Sequence, residues 1–332
     1  VRAKQKALNS KSQKWGRKLA LTCVKVMLAA VVGIGICGVA AGIGAFRGIL
    51  SSTPTIRLSD VVAVGEATIV YDKEGNEIDQ YVSTNSNRLS VGMDEIPDYM
   101  GKAFVAIEDE RFYQHNGIDV KGILRAGYQF LKTGGEEAQG ASTITQQLLK
   151  NTVFTDWTSE GSNKIKKIKR KIQEQYLALE ITKYYSKDEI LLRYMNAINL
   201  GQNTLGVESA SLRYFGKHCS DLTLSECAVI ASITQNPSKY NPIRHPEDNA
   251  VRREKCLNKM LELGFVSQSE YDEAMADTDA VYERIGLYDI DYQEANATTG
   301  SYFSDAVYEQ VKQDLILSGY NETMAETLLT SG

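Results

Sequence analysis

Two acidic residues stand side by side at Glu108 and Asp109, in the segment EDERFYQHNG over residues 108–117. The same segment holds Phe112, one of eight phenylalanines, and His115, one of three histidines. A carboxylate or an imidazole within reach of a reacting hydroxyl can take its proton as a general base. The alternative is a solvated helix end, because acidic residues are mostly exposed.

A second segment, GASTITQQLLKN over residues 140–151, places polar groups at helical spacing. Ser142 is the expected N-cap, since it follows a glycine and precedes an apolar periodic run. On a helix at ~100° per residue, Thr143, Gln147 and Lys150 fall within a wedge of roughly 60°. A hydroxyl, an amide and an ammonium near a helix N-terminus suit sugars and phosphates, although an ordinary exposed polar face has the same pattern.

A third segment, KIKKIKRKIQEQYLALEI over residues 164–181, combines apolar periodicity with dense positive charge. Its apolar residues repeat at three and four, which predicts one buried stripe of Ile165, Ile168, Ile172, Tyr176 and Leu179. Arg170 and Glu174 lie opposite and are spaced for an ion pair worth ~0.5 kcal/mol or less. Six cations within eight residues repel one another and favour a membrane surface or a polyanionic ligand nearby: Lys164, Lys166, Lys167, Lys169, Arg170 and Lys171.

The N-terminal region predicts a membrane anchor. Residues 1–59 contain no Asp or Glu, and a basic tail precedes 21 uncharged residues from Val26 to Phe46. At ~1.5 Å per residue, that segment spans the ~30 Å hydrocarbon core of a bilayer. A basic tail alone is compatible with nucleic-acid binding, but the apolar span argues against it. The span exceeds the about 7–15 apolar residues of a signal peptide, so an uncleaved anchor with a cytoplasmic N-terminus is favoured over a signal peptide or a buried helix.

The rest of the chain reads as a small β element followed by helices. The segment ATIVYDKEGNEIDQYV predicts a hairpin around Lys73–Asn76, and the helical pattern runs from about 94 to 263. Glycine pairs and prolines, among them Gly134-Gly135, mark boundaries within it. A final helix is predicted from Ser301, with a stripe at Phe303, Val307, Val311 and Leu315.

The cysteines do not suggest a metal site. Cys23 and Cys37 fall in or beside the apolar span, which leaves Cys219, Cys227 and Cys256 outside it. No C-x-x-C pair or Cys/His cluster is present, so a zinc site is not expected. Three free thiols are favoured over a Cys219–Cys227 disulfide.

Five motifs in order resemble the peptidoglycan glycosyltransferase (family 51 transglycosylase) domain of bacterial class A penicillin-binding proteins and monofunctional murein polymerases. They are EDERFYQHNG (108–117), GASTITQQLLKN (140–151), RKIQE (170–174), KDEILLRYMNAINLG (187–201) and the segment from RYFGKH to NAVRRE (213–254). Together they cover roughly residues 90–260. Ala197 and Asn199 in the fourth motif, and ASITQN (231–236) in the last, depart mildly from the family pattern.

The resemblance implies a mainly α, lysozyme-like helical glycosyltransferase domain, preceded by a single transmembrane helix and a small β hairpin. The implied reaction polymerises lipid II into β-1,4 glycan strands with inversion and release of undecaprenyl pyrophosphate. The implied location is the bacterial plasma membrane, single-pass, with the catalytic domain outside the cytoplasm. The implied partners are lipid II, the growing glycan chain, the membrane and other cell-wall synthesis or division proteins, with no nucleic acid.

The resemblance also assigns site residues. Glu108 is implied as the general base, and Glu174 as a second catalytic acid that orients groups or holds a divalent cation, Mg²⁺ or Mn²⁺. No organic cofactor is implied. The implied substrate-binding residues are Asp109, Phe112, His115, Ser142, Thr143, Gln147, Lys150, Asn151 and Arg170, with Lys150 and Arg170 facing the pyrophosphate.

Two rival functions remain open at this stage: a membrane-anchored lysozyme-like lytic enzyme and a non-catalytic cell-wall scaffold. The chain is expected to be the N-terminal part of a bifunctional penicillin-binding protein, because SYFSDAVYEQV (301–311) resembles the sequence that leads into a transpeptidase domain, whereas the S-x-x-K motif of that domain is missing. The predicted domains are a tail (1–18), an anchor (19–46), a connector with the hairpin (47–92), the glycosyltransferase domain (93–263), a linker formed by a short helix and a polar connector (264–300) and the start of a truncated transpeptidase region (301–332).

Overall fold

The computed structural model describes residues 11–56, 61, 68–81, 88–133, 140–154, 161, 163–202, 204–286, 302–320 and 322–331. The basic residues at positions 2, 4 and 6 of the predicted tail, the glycine pair at 134–135, Ser301 and residues 287–300 of the predicted linker lie outside them. The chain divides into two compact units, residues 1–54 and 55–332, and each is described by itself.

The first unit is one long helix, α1 (Lys11–Ser51). Its segment Trp15–Ser51 has a mean hydropathy of 2.5 and is long and apolar enough to cross a membrane. Large apolar side chains are exposed along it, from Trp15 to Phe46. The helix therefore fits the predicted single span, while its direction across the membrane stays a prediction.

The second unit begins with the predicted β hairpin. Strands β1 (Thr68–Tyr71) and β2 (Glu77–Tyr81) pair antiparallel, which confirms the hairpin. Asp72 closes the turn by accepting hydrogen bonds from the backbone amides of Glu74 and Asn76 at 2.9 and 2.8 Å. Gly75 takes a φ of +88°, a conformation that glycine adopts without strain.

The remaining described elements are helical, which confirms the mainly α class. They are α2 (Asp98–Glu108), α3 (Val120–Thr133), α4 (Ile144–Thr152), α5 (Lys164–Ile181), α6 (Lys187–Ala197), α7 (Val207–Phe215), α8 (Leu224–Ser232), α9 (Pro246–Glu262), α10 (Gln268–Ala276), α11 (Thr278–Glu283), α12 (Tyr302–Leu317) and α13 (Glu322–Ser331). Short 3-10 turns lie at Met93–Glu95, Phe112–Gln114 and Cys219–Asp221.

The core forms where α2, α8 and α9 pack together, and α4 packs between α5 and α6. Phe104 and Tyr194 meet edge to face in it, with ring centroids 5.5 Å apart. The same core includes Val266, Ala274 and Val281. Packed helices therefore continue past residue 263 into the segment predicted to be a linker. Cys219, Cys227 and Cys256 are buried free thiols, as expected.

Helix α5 corrects the predicted buried stripe. Ile165 is 80% exposed and Ile168 is 59% exposed, whereas Glu174 is fully buried. Gln173, Leu177, Ala178 and Ile181 share the buried face with Glu174. The apolar periodicity correctly predicted a helix. The face that packs against the protein, however, is the one that carries Glu174, whose charge is neutralised by Arg170 and Lys171.

Two smaller expectations change in the same way. The N-cap of α4 is Thr143, whose side chain accepts a hydrogen bond from the amide of Gln146, so the assignment to Ser142 was off by one residue. Helix α12 forms where it was predicted, but its apolar stripe is only partly covered, and Phe303 is 61% exposed.

Candidate active site

Glu108 is the last residue of α2 and faces a cleft of about 500 Å³. Arg252 Nη2 donates to its Oε1 at 2.8 Å, and Gln147 Nε2 donates to its Oε2 at 2.9 Å. The hydroxyl of Thr234 lies 2.5 Å from Oε1. Because its side chain is only 12% exposed, the carboxylate is fixed by protein groups rather than by solvent.

Each donor to Glu108 is itself fixed. The guanidinium of Arg252 also donates to the carbonyl of Ser232 at 3.0 Å and to Gln235 Oε1 at 2.8 Å. The hydroxyl of Tyr194 donates to Gln147 Oε1 at 3.3 Å, which orients the amide so that its nitrogen faces Glu108. Burial, together with the charge of Glu108, raises the pKa of Tyr194, so this phenol stays protonated and remains a donor.

Asp109 lies behind Glu108 and ties the first motif to α4. His115 Nε2 lies 2.9 and 3.0 Å from the two Asp109 oxygens, and the amide of Ile144 donates to Oδ2 at 3.1 Å. Phe112 is fully buried, with its ring edge-on to His115. These contacts place the start of α4 directly against the end of α2.

Gly117 closes the first motif against α5. Its φ is +88°, and a Cβ at this position would lie 2.3 Å from the carbonyl oxygen of Ala178. The carbonyl of Gly117 in turn accepts a hydrogen bond of 2.7 Å from the buried hydroxyl of Thr143. The motif therefore requires glycine here, because any larger residue would push α5 away from the cleft.

The second acidic residue, Glu174, sits in a cationic cluster on α5. Arg170 Nη1 donates to its Oε1, and Lys171 Nζ donates to its Oε2 at 2.7 Å. Lys171 also donates to Ser142 Oγ at 3.1 Å. Since Ser142 lines the same cleft as Glu108, these bonds bring the charges of α5 to the edge of that cleft.

A second arm of the cleft, of about 740 Å³, adjoins the first through Gln147 and Gln235, which line both. Lys150, Asn151 and Arg244 line this second arm, together with Asn241 and His245. The first arm therefore holds Glu108 among acidic and basic side chains, and the second arm adds further cationic and amide groups.

The side chains around Glu174 do not form a binding site for a divalent cation. Both of its oxygens are already engaged by Arg170 and Lys171, whose positive charges repel a metal ion. Within the described ranges, no three His, Cys, Asp or Glu side chains come close enough together to hold a metal.

A family model described as transglycosylase matches residues 74–261. The chain belongs to the transglycosylase family. Penicillin-binding protein 1A of Clostridium botulinum is 38% identical over 306 residues, which cover 90% of this chain and 35% of that protein. Penicillin-binding protein 1F of Bacillus subtilis is 40% identical over 201 residues, which cover 60% of this chain and 27% of that protein.

A solved structure of penicillin-binding protein 1A from Haemophilus influenzae aligns with a TM-score of 0.33 at 23% identity, over 64% of this chain and 20% of that chain. Another relative, penicillin-binding protein 1A of Clostridium perfringens, is 38% identical over 293 residues, or 86% of this chain and 41% of that protein. The chain thus spans about a third of the length of the curated relatives it matches.

In this transglycosylase domain, the predicted residues fall into three groups. Glu108, Asp109, Ser142 and Gln147 line the first arm, and Lys150 and Asn151 line the second. Phe112, His115 and Thr143 lie behind the cleft as supports. Arg170 and Glu174 reach it through Lys171 and Ser142.

Sequence reasoning gave no site role to Tyr194, Thr234, Gln235 and Arg252, and it named Lys171 only as one of six clustered cations. Tyr194 and Arg252 stand inside the quoted fourth and fifth segments, so the motifs carried a signal for them. Nothing local in the sequence connects them to Glu108, because Arg252 and Glu108 are 144 residues apart.

Proposed function

We propose that this domain polymerises lipid II into β-1,4-linked glycan strands. Glu108 takes the proton from the sugar 4-hydroxyl of one lipid II while that oxygen attacks C1 of the growing chain. The bond from C1 to the pyrophosphate oxygen breaks, and its electron pair leaves with undecaprenyl pyrophosphate. Attack from the face opposite the leaving group inverts C1.

The observation that carries this proposal is the carboxylate of Glu108 held at the cleft between Arg252 and Gln147. A general base must accept a proton at a defined position within hydrogen-bond reach of the hydroxyl. Because hydrogen bonds hold both carboxylate oxygens of Glu108, the side chain is already in position before the substrate binds. Such prior positioning supplies part of the rate enhancement of many enzymes.

The departing pyrophosphate needs positive charge where its negative charge develops. Lys150 and Arg244 line the second arm, and α5 carries Arg170 and Lys171, of which Lys171 donates to Ser142. Glu174 holds the two α5 cations in place, so its role in this proposal is to organise them rather than to transfer protons. A lytic enzyme has no pyrophosphate leaving group and no need for this cation set.

The exposed face of α5 supports a location at the membrane surface, where a lipid-linked substrate resides. Ile165 and Ile168 are exposed on a helix that also carries five lysines. Apolar side chains flanked by lysines are typical of helices that lie in the interface of an anionic bilayer. The same helix carries Arg170 and Glu174, so docking it on lipid brings the cleft to the substrate headgroup.

One pair of assays separates this function from the lytic alternative. The full chain in detergent is given fluorescent lipid II in one reaction and purified peptidoglycan in another. We expect glycan polymer from the first and no soluble fragments from the second. Fragments without polymer would assign the domain to hydrolysis, and neither product would favour the non-catalytic scaffold.

A further inference from the structure

Lys187 is a buried ammonium that the proposed chemistry does not use. Within the part of the chain that the structure describes, its Nζ is buried and has no hydrogen-bond partner. It stands 4.4 Å from the centroid of the buried Phe112 ring. It is also the first residue of α6, where the helix dipole disfavours a positive charge.

A desolvated cation at a helix N-terminus lowers stability unless a nearby anion balances it. That anion is Asp109, whose carboxylate attracts the charge of Lys187. Burial lowers the pKa of Lys187, and the attraction of Asp109 opposes that effect. The ammonium of Lys187 and the carboxylate of Asp109 therefore compensate each other.

Asp109 connects this charge pair to the base. Its Oδ2 accepts the amide of Ile144, the first residue of α4, at 3.1 Å. One turn further along α4, Gln147 donates to Glu108 at 2.9 Å. A shift of Asp109 would move the start of α4 and, with it, the amide that orients the base.

We propose that Lys187 is a positioning residue for glycosyl transfer, acting through Asp109 and α4 on Glu108. Each carboxylate of the adjacent pair then has its own cation: Arg252 bonds Glu108 directly, and Lys187 balances Asp109 through space. Without Lys187, the carboxylate of Asp109 would keep only its contacts with His115 and the Ile144 amide, beside a second carboxylate. The inference rests on the proposed function, since Glu108 matters here as the base.

The test uses Lys187→Met, which keeps the length and the contact with Phe112 but removes the charge. We expect kcat on lipid II to fall by roughly tenfold to a hundredfold, as misplacement of a catalytic group does, with KM within about twofold. The melting temperature should fall, because removing one partner leaves the buried charge of Asp109 uncompensated, so kcat is measured well below the melting temperature of each protein. Lys187→Arg should recover part of the lost kcat.

Two further readouts distinguish positioning from packing. On an Asp109→Asn background, Lys187→Met should add little to the loss of kcat, because residues acting as a unit are not additive. Hydrogen exchange at the Ile144 amide should accelerate in Lys187→Met while exchange in α8 is unchanged. Lys183→Met serves as the matched control, since Lys183 is exposed, pairs with Glu180 at 2.7 Å and should leave all readouts unchanged.

Several results would overturn the inference. Wild-type kcat in a folded Lys187→Met protein, or a loss that simply adds to that of Asp109→Asn, would show that the ammonium does not act through Asp109. Failure of Lys187→Met to fold would make the ammonium a structural element. An inactive wild-type chain would instead contradict the proposed function, and the exchange of the Ile144 amide would still report on the coupling.

Discussion

Glu108 takes its contacts from distant parts of the chain. Gln147, Thr234 and Arg252 are 39, 126 and 144 residues away from it in sequence. Only a folded core can bring them together, so the contacts depend on the packing of α2 against α8 and α9. The sequence motifs identified Glu108 and Gln147, but the cation that holds Glu108 is visible only in the structure.

Arg252 provides the first residue-scale prediction. Its guanidinium group donates hydrogen bonds to Glu108, Gln235 and a backbone carbonyl at the same time. A lysine ammonium cannot reproduce this planar arrangement of donors. Hydrogen bonds to charged groups contribute about 1.5–3 kcal/mol. We therefore expect Arg252→Lys to lower kcat on lipid II by roughly tenfold or more, with a smaller change in KM.

The control for this change is Lys255→Met on the same helix α9, an exposed lysine at the rim of the cleft. It should lower kcat less than Arg252→Lys. Steady-state kinetics and melting temperature are measured for both. Full activity in a folded Arg252→Lys protein would show that the guanidinium group is not needed to hold Glu108 in place.

At the scale of elements, the periodicity of α5 predicted a helix but not its orientation. Five apolar residues form a clear stripe, yet that stripe is partly or largely exposed, and the buried side centres on Glu174. A periodic pattern of apolar residues indicates that one face of a helix is shielded from water. It does not show whether protein or lipid covers that face, because both are apolar environments.

A pH-dependent contact joins the first turn of α7 to the segment that follows the helix. His218 Nδ1 lies 2.6 Å from Oε1 of the buried Glu208, and this hydrogen bond raises the pKa of His218. A raised pKa in the folded state contributes stability below the unfolded value of ~6.5. That contribution disappears as the pH rises through the folded pKa.

We therefore expect wild-type protein to be more stable than His218→Gln at pH 5.5, with the difference shrinking by pH 8.5. The effect is modest, because the imidazole is 74% exposed. Thermal unfolding of both proteins across this range measures it. Parallel stability curves, with a constant offset at every pH, would contradict the assigned contact.

For the whole molecule, composition and patterning predicted the main parts: an apolar N-terminal helix, a hairpin and a helical domain. The core reached further than predicted, through α10 and α11, because Ala274 and Val281 pack into it. Short polar helices resemble connectors in sequence when only a few of their residues are buried. The transpeptidase start over 301–332, the cell-wall protein partners and the orientation in the membrane stay predictions.

Membrane docking of α5 gives a prediction at this scale. Replacing both Ile165 and Ile168 with Asn removes apolar surface that bilayer contact would bury, where each fully buried side chain contributes about 1.5–3 kcal/mol. We expect polymerisation of lipid II in liposomes to fall about tenfold, while activity in detergent micelles changes little. The matched control is Val251→Asn, another exposed apolar residue on α9.

Equal loss in liposomes and detergent would indicate a damaged site rather than a lost membrane contact. No loss in liposomes, with the Val251→Asn control also active, would show that the exposed stripe of α5 does not meet the bilayer.

The proposed polymerisation depends on Glu108 as the general base. Glu108→Gln keeps the size of the side chain and can still accept a hydrogen bond from Arg252, but it cannot take a proton. The decisive measurement is the rate of glycan formation from labelled lipid II by wild type and Glu108→Gln, with the melting temperature followed for both. Loss of a general base predicts a fall of about 10²–10⁴-fold in a folded protein. A folded Glu108→Gln protein that polymerises at near wild-type rate would contradict this assignment.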